Sequence, residues 1–269
     1  MRFILMSLFC CLFVFGAAKQ VQAEILISPT RVVFEGSDRF AYVTLANISK
    51  RAKTYAISLQ YLKMSEKTGG YQGVEEAFSA FPLAEHIVFA PKRVTLPPGG
   101  NQRVRLSLRR KADIPDGDYH AHLRFQSVPE LLPEEELEGR VGAQVSISVS
   151  YTIPVIFRSG DVIEEAKIGQ ITFGRDDKTG ASTVNVPIER GRSAYAVLGH
   201  LYVYYQGEDG REELVGEISN ANVFPEISSR VISVPLRGEI EKGGTLRVVL
   251  QHNDTKSEDI YAQKLFPIQ

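Results

Sequence analysis

Residues Ile114 to Leu123 read IPDGDYHAHL. Pro115, Asp116 and Gly117 are turn formers, and a strand pattern begins at Tyr119. A tyrosine at the start of a strand, just after such a turn, matches the tyrosine corner of immunoglobulin-like sandwiches. There its hydroxyl bonds back to the upstream backbone. Antibody domains place a cysteine two residues later, and this chain has Ala121. A tight turn before an ordinary strand is the plainer reading, so the surrounding pattern has to decide.

That pattern is uniform in both directions. Short runs rich in Val, Ile, Tyr and Phe are separated by Gly, Pro and Asp. Before the corner come FAYVTLANI (40–48), TYAISLQYL (54–62) and RVRLSLRR (103–110). After it come STVNVPIER (182–190), YAVLGHLYVYY (195–205) and LRVVLQH (246–252). No stretch holds a helical period between caps. The spacing predicts an all-β protein of two sandwiches, each of about 100 residues. The turn residues Ser159, Gly160 and Asp161 mark the expected boundary, giving domains over 24–158 and 161–269. Two long segments, KMSEKTGGYQGVEEAFS (63–79) and the acidic PELLPEEELEGRVGA (129–143), read as loops.

Residues 1–23 have the form of a secretory signal, with Arg2, an apolar stretch from Phe3 to Ala18, and Val21-Gln22-Ala23 as the cleavage site. The stretch is too short for a membrane span of about 20 residues, and no other segment approaches that length. The expectation is an exported protein without membrane insertion. Cys10 and Cys11 both lie in this segment, so the remainder has no disulfide, thiolate metal site or cysteine nucleophile. Without Arg2 and Lys19, 29 of the 31 Lys and Arg remain against 32 Asp and Glu, a net charge near −3. That balance argues against a general nucleic-acid or anionic-membrane binder.

Chemistry is sparse. There is no phosphate-binding glycine loop, no Gly-x-Ser-x-Gly elbow and no His-Glu-x-x-His. His120 and His122 share a strand face and could chelate a metal, but no third ligand is near in sequence. The plainer expectation is a solvated strand face, with Ala121, Leu123 and Phe125 turned to the core. Asn47-Ile48-Ser49 and Asn253-Asp254-Thr255 match glycosylation acceptors, a triplet common by chance. Nothing supports an enzyme or a cofactor.

The stretch VSISVSYTIPVIFR (145–158) poses the functional question. Val145, Ile147, Val149 and Tyr151 alternate with Ser146, Ser148, Ser150 and Thr152, giving one apolar face. Pro154 is tolerated only at edges, bulges or strand ends. An apolar strand at an edge is normally blunted, and this one is barely blunted. Its apolar face either fills this chain's own core or is offered to another chain.

Four stretches together resemble the periplasmic chaperones of the chaperone–usher pilus pathway, the PapD-like family. SPTRVVFEG (28–36) resembles its first-strand signature. VTLANISKRAKTYAISL (43–59) resembles its second and third strands. RVTLPPGGNQRVRLSLRR (93–110) with IPDGDYHAHLRFQSVP (114–129) resembles the approach to its F strand. SISVSYTIPVIFR (146–158) resembles its G1 strand. The likeness covers residues 24–158 and is weaker from Asp161 onward.

The resemblance implies two immunoglobulin-like domains set as an L with a cleft between them. It implies binding of pilus subunits and delivery to an outer-membrane usher. In this family the G1 strand fills a subunit's open groove by β-augmentation. Val145, Ile147, Val149 and Tyr151 would be the donor side chains. Members also hold the subunit's terminal carboxylate with an arginine, here Arg31, and a lysine. The lysine position falls at Pro154, a departure that leaves Arg124 on the neighbouring strand as the candidate substitute. An ion pair near the domain junction maps onto Arg158 and Asp118. The competing readings are a secreted tandem immunoglobulin-like adhesin binding through loops, and a metallo-enzyme resting on His120 and His122 alone.

Overall fold

The computed structural model describes residues 24–66, 69–111, 113–129, 148–161, 165–207, 209–238, 240, 243–252 and 259–268. Residues 1–23 and 130–147 lie outside this set, and with them the signal segment, most of the acidic segment, Val145 and Ile147. Asn253 is outside it too.

The described residues form two β-sandwiches. The first contains β1 (Ile25–Ser28), β2 (Val32–Phe34), β3 (Phe40–Asn47), β4 (Lys53–Met64), β5 (Tyr71–Val74), the short α1 (Leu83–His86), β6 (Ile87–Ala90), β7 (Arg93–Leu96), β8 (Asn101–Leu108), β9 (Gly117–Val128) and β10 (Ser150–Ser159). One sheet has the order β1-β3-β8-β6. The other has the order β2-β10-β9-β4-β5, with β7 also on β4. The second sandwich contains β11 (Ala166–Ile168), β12 (Thr172–Arg175), β13 (Ser182–Arg190), β14 (Gly199–Gln206), β15 (Glu212–Ile218), β16 (Ser229–Pro235), β17 (Thr245–His252) and β18 (Ile260–Pro267). Its sheets run β11-β13-β12, with β16 on β13, and β15-β14-β17-β18.

Alternation builds both cores. Val43 and Leu45 on β3 and Val104 and Leu106 on β8 meet Tyr55, Ile57, Leu123 and Phe125 from the facing sheet. Each such aliphatic or aromatic side chain contributes about 1.5–3 kcal/mol on burial. The second core gathers Val184, Val186, Leu201, Val203, Val234, Val248 and Leu250. Met64 and Ile156, from strands of the first sandwich, are buried with this second group, and Val33 packs against it. This explains why Val155 to Arg158 are buried without alternation. One face of β10 meets its own core and the other meets the neighbouring sandwich.

The corner forms as its sequence implies. The Tyr119 hydroxyl donates to the Pro115 carbonyl at 2.9 Å. Gly117 has φ +144, and a Cβ there would lie 3.0 Å from the Ala194 Cβ. Both the backbone conformation and the close approach of the second sandwich therefore require glycine.

The segment read as a first long loop contains β5, which extends β4 as a hairpin through Tyr61↔Val74 to Met64↔Tyr71. Its Gly-Gly pair and polar flanks masked a strand of only four residues. The crossing at Pro29 to Arg31 is another feature that no local pattern carries. β1 pairs antiparallel with β3 in one sheet, and β2 pairs parallel with β10 in the other.

Candidate functional site

β10 has two edges that are used unequally. Along one it pairs with β9 from Ser150↔Gln126 to Ser159↔Gly117. Along the other, β2 covers only Val155 to Phe157. Ser150 to Ile153 therefore carry a single ladder.

The direction of each amide follows from one bond. The Ser127 N–H donates to the Val149 carbonyl at 2.8 Å. Antiparallel pairs alternate between bonded and non-bonded, so Val149, Tyr151 and Ile153 point their backbone groups at β9. Ser150 and Thr152 point theirs at the open edge, and the Pro154 carbonyl faces β2. Proline at position 154 thus removes no bond to β9, which is why this strand tolerates it.

The odd-numbered side chains form one continuous apolar face. Phe157, Val155 and Ile153 are buried in the first core, Tyr151 is half-buried against it, and Val149 is 43% exposed. The face thus runs out of the core toward the end of the strand. Val145 and Ile147, which continue the alternation in sequence, lie outside the described residues.

Beside the open edge is a cleft of about 460 Å³. Its walls are Ile25 to Ile27 of β1, Thr30 of the crossing, and Tyr151 to Pro154 of β10. Tyr71 and, from the second sandwich, Asn220, Asn222 and Arg230 complete it. Arg31 directly follows Thr30 and is half-buried. Its neighbours separate as alternation requires, with Val32 and Phe34 in the first core and Val33 against the second. Arg124 donates from Nε and Nη2 to the Ser150 hydroxyl, at 3.2 and 3.0 Å. It therefore sits over the free half of β10.

No protein-family model matches the chain, and no curated protein matches it. Solved structures do. The Pseudomonas aeruginosa CupB2 chaperone is 14% identical, with a TM-score of 0.45 over 91% of this chain and 100% of that one. The E. coli chaperone DraB is 15% identical, with a TM-score of 0.46 over 91% of this chain and 96% of that one. A Salmonella enterica structure of SafA pilin in complex with the SafB chaperone is 12% identical, with a TM-score of 0.46 over 92% of this chain and 97% of that one.

Two polar groups join the sandwiches. Arg158 and Asp118 are opposite in the β10–β9 register and both buried, with Nη2 to Oδ2 at 3.1 Å. The same Arg158 nitrogen donates to the Ala196 carbonyl at 3.2 Å, and the Ala196 N–H donates to the Asp118 carboxylate at 2.8 Å. A buried ion pair needs such extra hydrogen bonds to offset the loss of water.

The second group overturns the solvated-face expectation for the histidines. His120 and His122 are 4% and 2% exposed. The second sandwich covers them, with Phe224 stacked on His120 at 4.1 Å and the Glu226 carboxylate 3.1 Å from His120 Nε2. The Met64 N–H donates to the other Glu226 oxygen at 2.7 Å. Burial, with the adjacent His120, pushes the His122 imidazole down from 6.5 to about 3. Burial alone would raise the Glu226 carboxyl, but the His120 contact and the Met64 N–H hold it below the usual range. Among the described residues, no group of three or more His, Cys, Asp or Glu could hold a metal ion. Polar residues alternating along a strand ordinarily face water, and nothing local distinguishes water from a second domain.

Proposed function

We propose that this chain is a periplasmic chaperone of the chaperone–usher pathway, which holds a pilus subunit by adding β10 to the subunit's incomplete sheet. The half-covered edge of β10 is the observation that carries this reading. The N–H groups and carbonyls of Ser150 and Thr152 point where an added strand would lie. Val149 is exposed on the apolar face of the same strand. An ordinary sandwich would cover or charge such an edge. The order of the four resembling stretches supports the same assignment.

In this reading residues 1–23 direct export to the periplasm, and 24–158 and 161–269 are the two domains. Val145, Ile147 and Val149 enter the subunit's groove, and Tyr151 packs at its mouth. Arg31 binds the subunit's terminal carboxylate with Arg124 as the second anchor, and Arg158 with Asp118 sets how the domains meet. The subunit then passes to an outer-membrane usher.

The test is co-expression with candidate subunits followed by capture through the chaperone, using wild type and Ile147→Asp. Wild type should retain a subunit. Ile147→Asp should lose it while melting at nearly the same temperature. A charge forced into this chain's own core would instead cost several kcal/mol and unfold the first sandwich. A large fall in melting temperature for the isolated variant would return this strand to self-packing. Failure of wild type to retain any subunit would remove the chaperone reading.

A further inference from the structure

We infer that the outer face of the β1-β3-β8-β6 sheet is a docking surface for an anionic lipid membrane, held peripherally and without insertion. The inference does not depend on the chaperone reading, because a subunit added to β10 extends the other sheet and leaves this face open. Alternation turns Phe40 and Tyr42 of β3, Arg103 and Arg105 of β8 and Val88 of β6 outward, between residues buried in the first core. The register gathers them. Phe40 and Val88 flank Ser107, and Tyr42 stands directly opposite Arg105. Phe40, Tyr42 and Val88 are 53%, 45% and 41% exposed. One exposed apolar residue is ordinary, but three on adjoining strands make a patch.

The patch is cationic as well as apolar. Arg105 lies over the Phe40 ring and Arg103 over the Tyr42 ring, each guanidinium carbon 4.1 Å from the ring centre. A ring contact uses none of a guanidinium's hydrogen-bond donors, so they remain available to phosphate oxygens. Among the described residues neither arginine is in an ion pair. The four strands contain no Asp or Glu at all. Arg109, one residue past β8, keeps the outward parity and is exposed. The face is therefore a local exception to the chain's negative balance, and its complement is an anion. A protein partner needs a pocket for its anchoring side chains. The two large clefts among the described residues take no wall from β3, β6 or β8. A lipid surface moulds itself to a flat face. It needs only cations for its phosphates and aromatic or aliphatic side chains at the depth of its headgroups.

The test is sedimentation with vesicles of phosphatidylglycerol or of phosphatidylcholine. It uses residues 24–269, which hold both sandwiches and both cores, because the apolar stretch within 1–23 would bind lipid by itself. Wild type should sediment with phosphatidylglycerol at low salt and not with phosphatidylcholine, and added salt should release it. Arg103→Gln/Arg105→Gln should bind about thirty-fold more weakly, about five-fold for each charge. Arg175→Gln/Lys178→Gln removes the same charge from exposed positions on the second sandwich and should bind as wild type does. The chain has no tryptophan, so Tyr42→Trp reports on the face itself, and its emission should shift to the blue on phosphatidylglycerol. Equal losses for the two double variants would overturn the inference. So would Tyr42→Trp emission unmoved by vesicles that sediment the protein, or a wild type that sediments with neither lipid. Capture by polyglutamate in place of vesicles, lost in Arg103→Gln/Arg105→Gln, would give the face to an acidic polypeptide and overturn the lipid assignment. If Arg103→Gln/Arg105→Gln does not fold, the Tyr42→Trp emission decides.

Discussion

Asn47 ends an apolar strand, and its amide ties together two loops. Its Nδ2 lies 2.8 Å from the Arg51 carbonyl, 2.9 Å from that of Leu96 and 3.1 Å from that of Pro97. Its Oδ1 accepts from the Ser49 N–H and hydroxyl at 3.0 and 2.7 Å. The side chain is 1% exposed, so the glycosylation triplet here has no accessible amide in the folded chain. Asn47→Ala leaves buried carbonyls unpaired, and we expect it to destabilise the protein by about 2–4 kcal/mol. Urea denaturation of the two proteins measures this, and a loss below about 0.5 kcal/mol would mean the loops hold themselves. The residue was visible in the sequence as part of a resembling stretch, but two of its partners lie 49 and 50 positions away. Tyr119 is the opposite case. Its partner is Pro115, four positions upstream, so turn and tyrosine could be read together.

Among the elements, β10 shows how one strand serves two purposes. Val155 to Phe157 are buried and paired along both edges, while Ser150 to Ile153 have one edge free. The parity of its hydrogen bonds makes a prediction for amide exchange. In the free protein the Ser150 and Thr152 amides should exchange quickly, and those of Tyr151 and Ile153 slowly, because only the latter bond to β9. Nuclear magnetic resonance of the exchanging protein reads all four. A bound subunit should slow the first pair and leave the second nearly unchanged. Equal protection of all four in the free chain would mean that something already covers the edge. The period of two was legible in Val145, Ile147, Val149 and Tyr151. That β2 arrives at Val155 was not, since it depends on the chain crossing between sheets at Pro29 to Arg31.

At the scale of the molecule, the contact between sandwiches holds a titratable group in its neutral form. The unfolded His122 takes up a proton below about pH 6.5, and the folded one does so only near 3. A histidine lowered in this way favours the fold above pH 6.5. That contribution is lost as pH falls toward 3, at up to about 1.4 kcal/mol per pH unit. His120 and Tyr71 are in ring contact with His122, Glu226 pairs with His120, and the Arg230 charge reaches Tyr71. The acid loss should therefore appear as a loosening of the junction. Urea midpoints of wild type and His122→Leu between pH 7 and 4.5 test this. The variant should lose less stability on acidification than wild type, and parallel curves would remove His122 from the acid response.

The sequence by itself determined most of the strands and the turn before Tyr119, because these depend on alternation and on residues a few positions apart, though β5 read as a loop. It also singled out Arg158 and Asp118, through resemblance and not through any local rule. The tertiary structure decided which faces meet water and which meet a second sandwich. His120 and His122 alternate as a solvated face does, and they are buried only because Phe224 and Glu226 pack over them. It likewise decided that Arg230 lines the cleft beside Pro154, some 76 positions earlier in the chain. Periodicity records how a residue is turned relative to its own strand. What stands opposite that residue is set by how separate sheets pack, and no stretch of neighbouring residues carries that information.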